Sequence, residues 1–456
     1  MVLSTPVHAP DLIQPAVCVY TVSSQIGFEA LLWGIPVRTF GMPFYAGWGH
    51  TIDALPPPSR RTPMPLLQLI HAALIRYVRY VDPETGQRCE VERIVEHLAL
   101  QRRQRARFPE RVHAVGFSRW KRPIARSFFQ GSTLTFGRQR GAVPADAQAV
   151  AVWGRKVAAN GTELRPVIRV EDGFLRSVGL GAALTRPLSW VQDPVGIYYD
   201  AHAASGIEQL LLGADFPGEA LARARTLRQR IVARDISKYN LPQYRPWRRP
   251  SCDSRVLLVI GQVESDASLH YGTLPDAAVR TNRELIEAVR VSNPDAYLMF
   301  RAHPDVAMGY RRASAMDTAT AALIDEVVSD VSLADLWKGI DEVHVITSLT
   351  GFEALLRGIA VTTYGIPFYA GWGLTRDRTP IDRPRCQRSL DELVAATLVL
   401  YPTYICPVSG QFTTPERAVA AIEAQRIGAR CGERKRHGWR AAVLRRVLAT
   451  LDRWRA

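Results

Sequence analysis

Four short polar clusters carry the side chains in this sequence best suited to chemistry: Glu171-Asp172-Gly173, the stretch GQVESDAS containing Asp266, the dipeptide His303-Pro304, and Ser348 within TSLTG. Each follows an apolar run of the kind that forms a buried strand, at Pro166 to Val170, Arg255 to Gly261, Ala296 to Arg301 and Val343 to Ile346. Ligands of open α/β sheets gather beyond the carboxyl ends of the strands, so four such loops predict one cleft lined by carboxylates, an imidazole and a hydroxyl. Singly, each cluster has an ordinary explanation, because EDG is commonly a turn, HP a loop and DAS a helix cap. Their shared placement at strand ends is the stronger signal.

The elements that must position them are partly written twice. Thr21 to Thr51 and Val345 to Thr375 align without a gap at an offset of 324, with 20 of 31 residues identical. Each copy reads as a strand, a small-residue turn (Thr347 to Gly351 in the second), a helix over Phe352 to Arg357 closed by Gly358, and another strand. Backbone N–H groups at such a helix start suit a phosphate, and Ser348, Thr350 and Gly351 stand there; Ser348 and Thr350 are also good helix caps. The PFYAGWG loop that follows either holds a partner with its Phe, Tyr and Trp or anchors itself to the core.

Strands alternating with helices predict an α/β fold with two Rossmann-like lobes and parallel sheets, preceded by a partial copy of the second lobe. The expected divisions are a partial module over residues 1–100, a basic connector over 101–126, a first lobe over 127–245, a second over 251–425 and a basic amphipathic tail over 426–456. The Pro/Arg-rich stretch Leu241 to Pro250 separates the lobes, and a helical stretch from Ile207 to Asp235 precedes it.

The net charge of +15 implies a polyanionic neighbour. From Arg426 onward ten basic residues stand against two acidic ones, and Trp439, Val443, Leu444, Val447, Leu448, Leu451 and Trp454 recur there at helical spacing. Such a helix either lies on an anionic membrane surface or packs on its own domain. No nucleic-acid module accompanies the charge. The six cysteines show no metal-ligand spacing, which points to a reducing cytoplasm and no structural zinc, and no apolar run approaches membrane-spanning length.

Eight motifs together resemble the KpsC-type capsule polysaccharide biosynthesis proteins, tandem β-Kdo glycosyltransferases of Gram-negative bacteria. They are VHAVGFSRWKR, VIRVEDGFLRSVGLG, DPVGIYYDA, SKYN, GQVESDAS, FRAHPDV, TSLTGFEALLRG and PFYAGWGLT. The resemblance implies a GT-B-like fold and retaining transfer of Kdo from CMP-Kdo to a lyso-phosphatidylglycerol-linked oligo-Kdo acceptor at the inner face of the cytoplasmic membrane, with the capsule assembly and export machinery as further partner. It implies no cofactor, since CMP-Kdo is a co-substrate carrying one phosphate, and the sequence contains no Asp-x-Asp.

Retention by double displacement needs a carboxylate nucleophile and an acid/base partner. On the resemblance Asp266 is the nucleophile, Glu171 the base and Asp172 the runner-up for either; His303, Pro304, Ser348, Thr350, Gly351, Glu353, Gln262 and Ser268 are expected around the substrate. The first copy keeps Ser24, Gly27 and the loop Pro43 to Gly49 but has no EDG, DAS or HP. Residues 1–100 are therefore expected to be inert in transfer, as in a truncated product, a late start or a split gene. The competing readings are a non-catalytic capsule assembly or export factor and a transferase using another CMP-ulosonate.

Overall fold

The computed structural model describes residues 7–138, 141–155, 165–181, 184–213, 215–240, 245–251, 253–311, 317–381 and 386–431. The tail helix expected beyond residue 431 lies outside the described residues. The chain forms two compact units, Met1–Leu98 and Ala99–Ala456.

In the first unit, strands β1 (Val19–Thr21), β2 (Val37–Thr39) and β3 (Ile52–Asp53) run parallel in that order, beside a hairpin of β4 (Tyr80–Val81) and β5 (Arg88–Cys89). Its core gathers Phe28, Ala30 and Leu31 of the helix Ile26–Leu32 with Val37, Tyr45 and Leu69.

The second unit holds two sheets. One contains β6 (Arg111–Val115), β7 (Thr133–Gly137), β8 (Ala149–Trp153), β9 (Val167–Asp172) and β10 (Ser189–Asp193). In the other lie β11 (Val256–Ile260), β12 (Tyr297–Arg301), β13 (Glu326–Val327), β14 (Glu342–Val345), β15 (Ala360–Thr363) and β16 (Arg376–Asp377), all parallel, in the order β13-β12-β11-β14-β15-β16. Strand periodicity sorts β11 between two cores: Val256, Leu258 and Ile260 enter one, Leu257 and Val259 the other. The helix Asn282–Ser292 packs Leu285, Ile286 and Val289 on that second face and starts at a capping box made by Thr281 and Glu284.

Three boundaries differ from the sequence expectation. The stretch expected to be a connector, 101–126, supplies β6, which sits between β8 and the edge strand β7 of the first sheet. Its arginines hid four buried residues, Val112 to Val115. Next, β17 (Pro402–Ile405) and β18 (Phe412–Thr413) leave the second lobe's segment and extend the first sheet, which reads β18-β17-β10-β9-β8-β6-β7. Tyr401 fastens this return by donating from its hydroxyl to Asp193 Oδ2. The first sheet is consequently mixed, parallel from β7 to β9 and antiparallel from β9 to β18. Finally, the stretch 207–235 is two helices, Gly206–Gly213 and Gly218–Ala233, because Pro217 stands at the second one's N-cap.

The sequence repeat is also a structural one. The order β1-β2-β3 matches β14-β15-β16, and a π-helical turn at His71–Arg76 recurs at Ala395–Leu400. Both aromatic loops are anchored to their own cores. Tyr45 donates to the Ser24 carbonyl and Tyr369 to the Ser348 carbonyl, while the indoles of Trp48 and Trp372 bond the carbonyls of Phe44 and Phe368. The surroundings of the copies differ. Phe368 is 5% exposed and packs 4.9 Å from Phe174, whereas Phe44 is 48% exposed; Tyr401 is 3% exposed and Tyr77 87%.

Candidate active site

A cleft of about 780 Å³ opens between the two sheets of the second unit. Glu171, Asp172, Asp266, His303, Pro304, Ser348, Thr350, Glu353, Gln262 and Ser268 all line it. Gly351 does not. It is buried where a Cβ would meet the Tyr369 hydroxyl at 2.2 Å, as Gly27 is against Tyr45 at 2.3 Å, so both glycines serve the packing of the aromatic loop.

The carboxylates of EDG occupy the last two positions of β9 instead of a following turn, held in register by Val191 and Trp190 of β10. Asp172 Oδ2 takes a 2.6 Å ion pair from the buried Arg176 guanidinium. The pair engages Asp172 and leaves Glu171 as the freer acid. Glu171 Oε1 accepts from the Asp172 N–H. Burial, then the neighbouring Asp172 charge, pushes the Glu171 carboxyl up to about 7, with Lys121 and Lys238 pulling the other way.

Across the cleft, Asp266 is the N-cap of the short helix Ala267–Tyr271, with Oδ1 accepting from the Ala267 N–H at 2.8 Å. No ion pair engages its carboxylate among the described residues. The phenol of Tyr199 stands between the walls: burial and then both Glu171 and Asp266 raise its pKa, so it stays protonated as a donor. Gly154, at φ +58°, gives it room, since a Cβ there would lie 2.6 Å from the Tyr199 hydroxyl and 3.5 Å from Glu171 Oε2.

His303 caps the turn Pro304–Ala307, its Nδ1 accepting from the Asp305 N–H at 3.1 Å. Burial lowers its pKa against the pull of Asp305 and Asp266, so the ring is neutral near pH 7 and Nε2 carries the proton as a donor. Ser348 caps the helix Leu349–Leu356 through Oγ, which accepts from the Thr350 N–H at 3.3 Å and leaves its O–H to donate. The helix begins three residues earlier than the expected Phe352, which brings its positive end to the cleft wall.

Two expected binding residues are spent on the scaffold. Gln262 ties β11 to β14, accepting from the Thr347 N–H at 2.8 Å and donating to Thr347 Oγ1 at 3.0 Å. Glu353 accepts from the Lys238 backbone N–H at 2.7 Å, and burial raises its pKa. Arg301 at the end of β12 lines the cleft and donates to the carbonyls of Val328 and Val331. Sequence reasoning missed Lys238, Tyr199 and Arg301 as cleft residues, although SKYN, DPVGIYYDA and FRAHPDV contain them. Among the described residues no group of three or more His, Cys, Asp or Glu side chains could hold a metal ion, and no helix is long and apolar enough to cross a membrane.

Comparison with known proteins agrees with this architecture. The family model described as capsule polysaccharide biosynthesis protein matches residues 1–80 and 148–406. The chain is 39% identical over 443 residues to the capsule polysaccharide modification protein LipA of Neisseria meningitidis serogroup A, covering 93% of this chain and 62% of LipA. It is 38% identical over 329 residues to the lipopolysaccharide-processing protein LpsZ of Rhizobium meliloti, covering 69% of this chain and 74% of LpsZ. The chain thus spans less than two thirds of the LipA length.

Two solved structures of Thermosulfurimonas dismutans KpsC are similar: the β-Kdo 2,7 transferase (TM-score 0.57, 35% identity, 70% of this chain and all of that one) and the β-Kdo 2,4 transferase (0.60, 32%, 70% and 99%). With two Rossmann-like sheets facing one cleft, the fold is GT-B-like, and the chain belongs to the capsule polysaccharide biosynthesis protein family.

Proposed function

We propose that the second unit is a retaining β-Kdo transferase, moving Kdo from CMP-Kdo to a lipid-linked oligo-Kdo acceptor in capsular polysaccharide biosynthesis. One observation carries the reading: Glu171 and Asp266, from opposite lobes, line a single cleft with His303 and Ser348. The names of the similar KpsC structures support the sugar, and that of LipA supports the capsule.

In the first step an Asp266 carboxylate oxygen attacks the anomeric carbon. The bond from that carbon to the phosphate oxygen breaks, and CMP leaves with the electron pair. His303 Nε2–H, the Ser348 O–H and the positive end of the helix Leu349–Leu356 receive the phosphate, which lets the reaction proceed without a divalent ion. In the second step Glu171 takes the proton of the acceptor hydroxyl, whose oxygen displaces Asp266 from the opposite face. Two inversions give net retention. The acceptor is lyso-phosphatidylglycerol-linked at the inner face of the cytoplasmic membrane, where the basic residues from Arg426 onward meet anionic lipid and the capsule assembly machinery.

The test is transfer from CMP-Kdo to a Kdo-terminated acceptor, with the product's anomeric configuration read by NMR and chelator present in a parallel reaction. The expected result is a β-linked product formed equally with and without chelator, and its loss in Asp266→Asn. An inverted product, or faster turnover of another CMP-ulosonate, overturns the reading.

A further inference from the structure

The loop Ser237–Asn240 reaches into the cleft between two residues with left-handed backbone, Asp235 at φ +48° and Asn240 at φ +47°. Neither is glycine, and such strain persists only where the surroundings impose it. Here both lobes do. The Lys238 N–H is held by Glu353 of the second lobe, while its carbonyl accepts from the N–H groups of Arg176 and Ser177 of the first, at 3.3 and 3.2 Å. Asn240 closes the loop by accepting from the Ser237 N–H at 3.0 Å and donating to the Ser177 carbonyl at 3.1 Å. All this fixes backbone and leaves the Lys238 side chain to the cleft.

The other cations of the cleft are largely committed. Arg155 pairs with Asp200 and lies over Tyr271; Arg176 pairs with Asp172. Arg301, Arg357 and Arg426 donate to backbone carbonyls, Lys121 sits on the Trp153 ring, and Arg311 is exposed at the rim. Lys238 has no carboxylate within ion-pairing distance among the described residues; its Nζ lies over the Tyr239 ring, 5.5 Å from the centroid, a contact that leaves the ammonium N–H donors for a ligand. It lines the cleft and interacts electrostatically with Glu171 and Asp172 on one wall and with His303 on the other.

We propose that Lys238 forms a carboxylate subsite, binding the acid group of a 2-keto sugar acid donor and selecting such donors over neutral sugars. The inference rests on the transferase reading above and adds a residue to it. In an ulosonate the carboxylate is bonded to the anomeric carbon itself, so an attacking Asp266 must approach one anion with another. In a cleft shielded from water that repulsion is only weakly screened. A fixed ammonium beside the reacting carbon offsets it, and the phosphate already has His303 and the helix start.

The experiment measures equilibrium binding of two probes, CMP-Kdo and CMP alone, in the Asp266→Asn background, where the donor is not consumed. Adding Lys238→Met is expected to weaken CMP-Kdo about 100-fold, the size of a charge-assisted hydrogen bond, and to change CMP less than about 2-fold, with Lys238→Arg restoring most of the CMP-Kdo affinity. Unchanged CMP binding also reports that the variant is folded. A parallel loss for CMP would assign Lys238 to the phosphate and overturn the proposal, as would no loss for either probe. If the wild type binds CMP-Kdo but transfers nothing, the transferase reading fails while the binding comparison still decides the subsite. If CMP-Kdo binds no better than CMP and is indifferent to Lys238, both fall.

Discussion

At the scale of single residues, the cleft separates two acids by what surrounds them. Glu171 is pushed up to about 7 by burial and by Asp172, whereas Asp266 has its carboxylate capping a helix and no ion pair among the described residues. A base must be ionised to accept a proton, so kcat/KM for the acceptor should rise with pH through about 7 and level off above it. Removing the Asp172 charge in Asp172→Asn lowers the Glu171 pKa, and the acid limb of the profile should move to lower pH; a limb that stays fixed would place the titration on another group. Glu171→Gln should reduce transfer by about a thousandfold, within the usual range for a lost general base.

The sequence already showed these residue types at strand ends. It could not show that Asp172 is spent on Arg176, since nothing in four residues of separation announces an ion pair. Nor could it distinguish Gln262 as a brace between strands from Gln262 as a ligand.

At the scale of elements, the aromatic loop is a clamp on the helix that carries Ser348. The Tyr369 hydroxyl bonds the Ser348 carbonyl and lies where a Cβ on Gly351 would fall. Tyr369→Phe should cost about 1 kcal/mol of stability for the lost hydrogen bond. Gly351→Ala should cost more, because its methyl meets the hydroxyl at 2.2 Å. The two together should cost less than the sum, since the phenylalanine removes the nearest of the clashing atoms and leaves the ring Cζ at 2.8 Å; additive losses in a denaturation cycle would contradict the clamp.

Strongly apolar elements such as β11 and β14 were legible from their runs. The strand β6 was not, because arginines at Arg107, Arg111 and Arg119 to Arg126 surround the four residues that pairing on both sides buries. Long-range pairing also governs β17, which joins β10 across more than 200 residues of sequence.

At the scale of the whole molecule, one supersecondary unit occurs twice in two settings. In the second unit its apolar face meets Phe174 and its loops face the carboxylates; in the first the matching Phe44 and Tyr77 are exposed and no EDG, DAS or HP accompanies them. Ser24→Ala should therefore leave Kdo transfer unchanged, while Ser348→Ala lowers kcat/KM for the donor about tenfold by removing a hydrogen-bond donor to the phosphate. Equal losses at both serines in the intact chain would mean that the first copy takes part. The charge surplus beyond Arg426 belongs to the same scale: deleting residues 439–456 should abolish salt-sensitive sedimentation with anionic vesicles and leave activity on a soluble acceptor intact.

The division of labour between the two carboxylates is tested most directly by mass spectrometry of Glu171→Gln after incubation with CMP-Kdo and acceptor. Without its base the enzyme should stop after the first step, and one Kdo should remain ester-linked to the peptide containing Asp266, absent when Asp266→Asn is added. An unmodified protein that nevertheless forms product, or a Kdo found on any other residue, would contradict the account.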